Sequence, residues 1–157
     1  MRIALYQGTS WISRAIRWQT RSLYSHAAFL ADDGSVIEAW QPCVRMVSSL
    51  SEQHNPGTVV DIFEFIDPLT DEQDQKLWER ALEDRGIPYD YVAILRFISR
   101  RPEDDRANEK LFCSEQVFSR CQMVGRQLLA RTEPWRVPPD WISRSPLLRL
   151  AGSVVTV

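Results

Sequence analysis

The chain has 157 residues, a length that suits one domain built around one core. Hydrophobic residues make up 44% and charged residues 25%, and a net charge of −2 gives no sign of a nucleic-acid partner. No apolar run approaches the ~20 residues that span a bilayer, so no transmembrane segment is predicted. The N-terminal stretch lacks the apolar core of a signal peptide, and only three cysteines are present. These features favour a reducing, cytoplasmic location.

The first third of the chain predicts a strand, a helix and a hairpin. Residues 2–6 form the strand, and Ser10 caps the helix. Its apolar face comprises Trp11, Ile12, Ala15 and Ile16, opposite an arginine stripe of Arg14, Arg17 and Arg21. Such a stripe most often faces solvent, although it could meet anionic lipid or substrate. Strand-like segments at 22–31 and 35–40 flank Asp32-Asp33-Gly34, which is a hairpin signal.

The remaining chain continues as a mixture of loops, one strand and several helices. A polar loop is predicted over 48–57, with His54 exposed in it, and a strand over 58–66. Thr70 opens a helix with a capping box to Gln73, and Gly86 ends it. A short helix over 91–98, a surface loop over 99–110 and a helix from Cys113 to about Leu129 follow, and short turns complete the tail. The predicted class is α+β.

Two of the three cysteines lie in the helix that begins at KLFCSEQVFSRC. Cys121 shares a helical face with Val117 and Val124, as a cysteine used as a small core hydrophobe would. Cys113 instead stands at the helix N-terminus, where free N–H groups and the helix dipole favour the thiolate and lower the pKa of the thiol. Cys113 is therefore the candidate nucleophile.

A nucleophilic cysteine needs a base and a group that orients the base. His26 lies in a strand-like segment and is the better candidate base, because a rigid element positions a ring more firmly than the loop around His54. Glu38 lies among apolar residues in the next strand. Pairing across the hairpin with residue 29 opposite 36 puts Glu38 opposite residue 27, and a shift of one residue would align it with His26. A strand histidine bonded to the backbone and an outward-facing Glu38 remain the alternatives.

The spacing of the cysteines and histidines does not match a metal-binding motif. The chain has only two histidines, and it contains neither C-x-x-C nor H-x-x-x-H. No cofactor and no metal are predicted.

Several motifs together resemble a known family. These are T-S-x-x-S-R-A-I-R, Y-S-H-A-A-F-L, V-I-E-A-W, G-I-P-Y-D-Y, F-C-S-E-Q-V and P-P-D-W-I-S-R-S-P, in this order. The chain thereby resembles the circularly permuted NlpC/P60-like cysteine peptidases, the YiiX/YebB-like branch of the papain-like superfamily, which is related to lecithin–retinol acyltransferases. In that permuted branch the histidine strand precedes the cysteine helix, as it does here.

The resemblance implies a permuted papain-like fold in one domain over residues 1–157, with an antiparallel sheet packed against the cysteine helix. It also implies Cys113 as nucleophile, His26 as base and Glu38 as the third member. Tyr89 and Tyr91 are candidates for an oxyanion donor, with aromatic core packing as the alternative. Glutamate at 38, where the acyltransferase relatives have a second histidine, points to the peptidase branch.

The predicted function is a cysteine hydrolase, peptidase or amidase, that cleaves an amide such as a cell-wall peptide or isopeptide through a thioacyl intermediate. The substrate would be a small molecule, a peptide or a lipid amide. Two alternatives stay open: a lipid acyltransferase or thioesterase on the same fold, and a binding module without activity. The absence of a visible signal peptide argues against a peptidoglycan substrate outside the cell.

Overall fold

The structure is a computed structural model that describes residues 1–90 and 110–157. The helix predicted over 91–98, Tyr91 and the loop predicted over 99–109 lie outside these residues. The strands are β1 (Arg2–Gln7), β2 (His26–Leu30), β3 (Val36–Ala39), β4 (Val44–Val47), β5 (Val59–Phe65) and β6 (Leu148–Val155). The helices are α1 (Trp11–Thr20), α2 (Asp71–Glu83), α3 (Cys113–Met123) and α4 (Pro139–Ser143), with a 3-10 turn over Pro134–Arg136.

All six strands form one antiparallel sheet in the order β4-β3-β2-β1-β5-β6. The predicted α+β class with an antiparallel sheet is therefore confirmed. The short turns predicted for the tail are present over Pro134–Arg136 and Pro139–Ser143, but from Leu148 the chain forms β6, which pairs along the whole of β5 and was not predicted. Gly152 and the polar residues around it weaken the strand pattern in the sequence, and the exposed edge of β5 supplies the pairing that the pattern does not reveal.

The predicted helix caps are confirmed at two N-termini. The Ser10 hydroxyl accepts a hydrogen bond from the Ser13 amide at 3.1 Å. Thr70 and Gln73 form a reciprocal capping box. Among the described residues, no helix combines the length and apolar character needed to cross a membrane.

The helix α3 ends at Met123, six residues before the predicted end. Gly125 adopts a left-handed φ of +79°, and the amide of Arg126 donates to the carbonyl of Cys121 at 2.9 Å. This is the glycine-terminated end that helices commonly use. The apolar residues Leu128 and Leu129 suggest a longer helix only because they pack into the core from the segment after it.

The two faces of the sheet carry different clusters, because side chains alternate along each strand. The major core lies on one side and includes Ile3, Leu5, Ala27, Phe29, Ile37, Ala39, Leu77, Cys113, Val117, Phe118 and Cys121. The minor core lies on the other side and comprises Ala4, Tyr6, Ala28, Leu30, Val36, Val47 and Val60. The helices α2 and α3 therefore cover the first face, and the second face carries the smaller cluster next to the polar groups described below.

Candidate active site

The β2–β3 hairpin brings His26 and Glu38 together. The observed register places Phe29 opposite Ile37, one residue from the predicted pairing of 29 with 36. Continued along β2, this register puts Glu38 opposite Ala28, so that Glu38 lies diagonal to His26 on the same face. The Nε2 atom of His26 lies 2.8 Å from Oε2 of Glu38. The register is therefore shifted by one residue in the direction opposite to the one that would put Glu38 directly across from His26, and the two side chains meet as diagonal neighbours on one face.

Glu38 is the centre of a buried polar cluster. Its side chain is 0% exposed and contacts two imidazoles and one guanidinium. Besides His26, Nε2 of His54 lies 3.0 Å from the same Oε2 atom. Oε1 accepts from Nε and Nη2 of Arg45 at 3.1 and 2.8 Å, and Arg45 lies directly opposite Glu38 in the β3–β4 register. Both carboxylate oxygens are thus satisfied, as a buried charge requires.

The expectation that His54 is exposed is wrong. Its imidazole is only 5% exposed, because the loop between β4 and β5 folds the ring over the minor-core face. The ring stacks on Tyr6 with centroids 4.2 Å apart and contacts Trp40 at 5.0 Å. A loop residue shows no periodicity that reveals such burial, so no sequence signal identified His54.

Aromatic rings also hold the His26 imidazole. Its centroid lies 5.1 Å from that of Tyr6 and 4.7 Å from that of Trp40, the latter edge-on. Tyr6 pairs directly with His26 between β1 and β2. The ring of His26 is therefore fixed by packing as well as by its contact with Glu38. Neither Tyr6 nor Trp40 was identified from the sequence as part of the site.

The electrostatics of the cluster favour a charged carboxylate beside a neutral imidazole. Burial alone would raise the pKa of Glu38, but the hydrogen bonds from His26 and His54 outweigh it, so the pKa lies well below its ordinary value. Burial also lowers the pKa of His26, and the nearby Glu38 only partly compensates. Near neutral pH, Glu38 is therefore ionised and His26 is neutral.

These charge states fix the tautomer of His26. An ionised carboxylate only accepts hydrogen bonds, so Nε2 of His26 must carry the proton and donate it to Glu38. The other ring nitrogen, Nδ1, is then an unprotonated acceptor. This atom is buried and has no hydrogen-bond partner among the described residues. An unpaired, oriented lone pair on a histidine is the form that a general base requires.

The thiol of Cys113 lies at the N-terminus of α3, as predicted, but its environment differs from the expectation. The residue is 4% exposed, and burial raises the pKa of the thiol to about 11. The backbone N–H groups of Ala27, Ser114 and Cys113 act in the opposite direction, as expected for a helix N-terminus, yet burial outweighs them. The resting group is therefore a neutral thiol, and the predicted lowering of its pKa is wrong.

The structure brings Cys113 to the same end of β2 as His26 but not into contact with the ring. The thiol lies against the backbone N–H of Ala27, the residue that follows His26. Cys113 belongs to the major core, whereas the His26 ring contacts Tyr6 of the minor core. Within residues 1–90 and 110–157, no hydrogen bond joins the thiol to the imidazole. The three predicted residues thus form one contacting pair, His26 and Glu38, with Cys113 nearby.

Tyr89 is buried in the major core, where its aromatic ring packs with the residues under the sheet. This is the packing role that the sequence offered as its alternative to an oxyanion donor. Tyr91, the other predicted donor, lies outside the described residues.

The polar cluster also has the composition of a metal site. His26, Glu38 and His54 each offer one ligand atom, and these atoms lie within 4.8 Å of one another. Two imidazole nitrogens and a carboxylate oxygen suit zinc and related divalent metals. The spacing argument against a metal did not anticipate this arrangement, because the three residues come from two strands and a loop.

Fold and site together define an α+β protein with a buried His-Glu-His cluster on an antiparallel sheet. No protein-family model matches the chain, and no curated protein matches it in sequence. The fold is similar to that of a solved structure, the metalloprotein YiiX from Escherichia coli O157:H7, with a TM-score of 0.73. The two sequences are 20% identical, and the match covers 98% of this chain and 96% of that one. The chain therefore has a YiiX-like fold.

Proposed function

We propose that the protein is a cysteine hydrolase of the permuted papain-like kind, a single NlpC/P60-like domain that cleaves an amide with Cys113, His26 and Glu38. The observation that carries the proposal is the state of the His26 ring. Glu38 occupies Nε2, while Nδ1 is buried and unpartnered at the end of β2 that also holds the Cys113 thiol. A histidine that acts as base for a thiol nucleophile has one ring nitrogen bonded to an orienting group and the other nitrogen free to accept the thiol proton.

The pKa directions determine the form of the reaction. With a thiol of raised pKa beside an imidazole of lowered pKa, the resting pair is neutral rather than an ion pair. His26 would take the thiol proton at Nδ1 as the sulfur attacks the carbonyl carbon. The same proton would then pass to the leaving amine as the C–N bond breaks and the thioester remains. Water would hydrolyse the thioester with His26 acting as base again.

Two further groups support this chemistry. Glu38 would stabilise the imidazolium that forms when Nδ1 is protonated, because its carboxylate lies 2.8 Å from Nε2. The backbone N–H of Cys113 at the start of α3 would donate to the developing oxyanion. The proposal also requires the thiol and the ring to approach each other, because Cys113 belongs to the major core and the His26 ring contacts Tyr6 of the minor core.

Incubation with a panel of substrates tests the activity. Peptidoglycan stem peptides, isopeptides and phospholipids are each mixed with the protein, and the products are identified by mass spectrometry. We expect amide cleavage and a thioacyl adduct on Cys113 under acid quench, with turnover reduced on the order of 10⁴-fold or more in Cys113→Ala. Cys121→Ala, which removes the other buried thiol, is the matched control and should retain turnover.

The outcomes separate the alternatives. Transfer of an acyl chain from a phospholipid would indicate that the protein is an acyltransferase and not a peptidase. Turnover that survives Cys113→Ala would overturn the thiol mechanism. Tight binding of a panel member without cleavage would indicate a binding module.

A metal centre is the second candidate function, favoured by the convergence of His26, Glu38 and His54. The YiiX structure of similar fold is described as a metalloprotein. In this chain the donor set fits a divalent metal only in part. A metal bound to Nε2 of His26 would require the ring proton to lie on Nδ1. Histidines that bind a metal usually donate this second N–H to an acceptor. Nδ1 of His26 has no such acceptor among the described residues. Arg45 would remain on the other carboxylate oxygen. Such a metal would act as a Lewis acid.

Metal titration distinguishes the two candidates. Zinc and cobalt are added to the metal-free protein, and binding is followed by calorimetry and by the visible spectrum of cobalt. If the cluster is a metal centre, His54→Ala should weaken binding at least tenfold and turnover should require metal. If the thiol proposal holds, turnover persists in a chelator and added zinc lowers it by occupying His26.

A further inference from the structure

The helix α1 presents an exposed face in which two tryptophans and two arginines alternate. Trp11, Arg14, Trp18 and Arg21 follow one another at intervals of three or four residues, so they share one side of the helix and its C-cap. Both indole rings are 79% exposed. The opposite side carries Ser13 and Ile16, which are buried. The predicted apolar face is therefore wrong for Trp11, which is exposed on the same side as Arg14 rather than packed with Ile16. The exposed face, which we call the α1 face, therefore plays no part in the core.

The charge on the α1 face is positive and has no ion-pair partner in the part of the chain that the structure describes. Arg14, Arg17 and Arg21 form no ion pair within the described residues, and α1 contains no acidic residue. The chain as a whole has a net charge of −2, so this concentration of arginine is local. Ile12, which follows Trp11, and Leu23, which lies beyond the C-cap, are 41% and 58% exposed, so further apolar surface is accessible near each end of α1. Two exposed tryptophans with flanking arginines thus form an amphipathic, basic surface.

We propose that the α1 face binds the surface of an anionic lipid bilayer, with the helix parallel to the membrane plane. Tryptophan is favoured at the boundary between headgroups and acyl chains, and arginine is attracted by anionic headgroups. A basic amphipathic helix with exposed tryptophan is the common form of such an anchor. The bilayer thereby supplies both the apolar contact and the negative charge that the α1 face lacks.

The positive charge of the α1 face argues against a dimer in which a second copy of this chain covers it. A symmetric dimer through the α1 face would place Arg14 and Arg21 of one copy near the same two arginines of the other. Like charges at such a contact repel, and α1 offers no carboxylate to compensate them. An anionic lipid surface has no such conflict.

The helix α1 lies near the polar cluster around Glu38. The cap residue Ser10 and the buried Ser13 line a small depression of about 40 Å³ together with Trp40 and His54. Because Ser13 lies on the buried side of α1, the helix would stand between a bilayer on the α1 face and this depression. This binding is independent of the proposed hydrolase, and its test uses no turnover.

Vesicle sedimentation with the full chain tests the proposal. The protein is mixed with vesicles of phosphatidylcholine alone and with vesicles that also contain phosphatidylserine. We expect binding to the anionic vesicles, weakening as salt rises, and much weaker binding to the neutral ones. Arg14→Gln and Arg21→Gln should each lower the partition coefficient about fivefold, and Trp11→Ala with Trp18→Ala should lower it at least tenfold. Arg17 is left unchanged because its guanidinium donates to the Gly8 carbonyl.

A matched control replaces an exposed tryptophan and an exposed arginine elsewhere, Trp141→Ala with Arg85→Gln, and should bind as the wild type does. Circular dichroism and urea titration of every variant establish that each is folded. Absence of binding to anionic vesicles overturns the proposal, as does an equal loss in the control. If sedimentation velocity shows a dimer that the tryptophan variant abolishes, and no vesicle binding, the α1 face is a self-association surface instead.

Discussion

Two buried carboxylates in this protein, Glu38 and Asp84, have similar burial but different partners. Glu38 contacts two imidazoles and Arg45, whereas Asp84 accepts from Arg120 and from the Gln116 amide at 3.1 Å. The partners of Asp84 keep their charge and protonation across the physiological range, so this cluster joins the end of α2 to α3 without changing state. Glu38 instead contacts the imidazole of His26, the type of side chain that most commonly exchanges protons in reactions near neutral pH.

The difference indicates which buried charge is structural and which is suited to chemistry. Around Asp84 the hydrogen bonds described join α2 to α3. Both clusters contain buried polar atoms without a partner among the described residues: Nδ1 of His26 and the Tyr6 hydroxyl near Glu38, and Oε1 of Gln116 near Asp84. Of the two acceptors, only the imidazole nitrogen is basic enough to take up a proton near neutral pH, because an amide oxygen is a far weaker base. The proposed reactive centre is therefore the Glu38 cluster.

The largest expected effect is a difference in kcat/KM between variants of Glu38 and of Asp84. Glu38→Gln should lower kcat/KM by up to about 10⁴-fold, because an amide cannot stabilise the imidazolium and can impose the wrong tautomer on His26. Asp84→Asn should leave kcat/KM within a few-fold of the wild type. Steady-state kinetics on the cleaved member of the substrate panel measures both. Equal losses in the two variants would remove the distinction between the clusters.

Removal of the Asp84 carboxylate should lower stability rather than activity. Asp84→Ala leaves Arg120, whose side chain is only 15% exposed, without its carboxylate. Removing one partner of such a buried pair costs about 3–5 kcal/mol, and we expect the free energy of unfolding to fall by about that amount in urea titration. The folded fraction at low temperature should still turn over substrate. Arg80→Gln, which breaks the exposed pair with Glu83, is the control and should cost less than about 1 kcal/mol.

A third buried ionisable group, the Cys113 thiol, sharpens the comparison through its rate of alkylation. Because burial raises its pKa to about 11 from an ordinary 9.0, the thiolate fraction near pH 8 should be about 100-fold below that of an unperturbed thiol. Native labelling with iodoacetamide and peptide mapping should show Cys43, which is partly exposed, reacting before Cys113. Unfolding in urea should abolish the difference. A fast Cys113 at neutral pH would instead indicate an ion pair with His26.

The smallest expected effect is a loss of stability on acidification. His26 and Glu38 both have pKa values lowered in the folded state. Below about pH 6.5 the unfolded chain binds a proton at His26 that the folded chain does not, and below about pH 4.5 the same holds for Glu38. Stability should therefore be full above about pH 6.5 and should fall by up to about 1.4 kcal/mol per pH unit for each group as the pH decreases.

Urea midpoints across this pH range, compared with those of His26→Gln, measure that effect. The glutamine keeps a donor for Glu38 but removes the titrating group, so the slope between about pH 6.5 and 5 should become shallower. Identical slopes in the two proteins would show that His26 does not titrate differently in the folded and unfolded states.

Local sequence determined most of the elements. The alternation in β1 and β5, the Asp-Asp-Gly turn, the Ser10 cap and the Thr70 capping box depend on contacts within a few residues, so each was identified from the sequence. The hairpin limited His26 and Glu38 to a few possible registers, and the sequence favoured one that differs by a residue from the register observed, so their contact stayed a hypothesis until the structure was known. The helix N-terminus at Cys113 was identified from the local sequence as well.

Tertiary structure decided what depends on residues distant in the chain. His54 reaches Glu38 only because its loop folds over the sheet, and β6 forms only because β5 offers it an edge. The pKa of Cys113 reverses direction because burial by the whole core outweighs the local field of its helix. The spacing of residues in the sequence predicts interactions between near neighbours in the chain. Burial and long-range strand pairing depend on tertiary packing, which the spacing does not reveal.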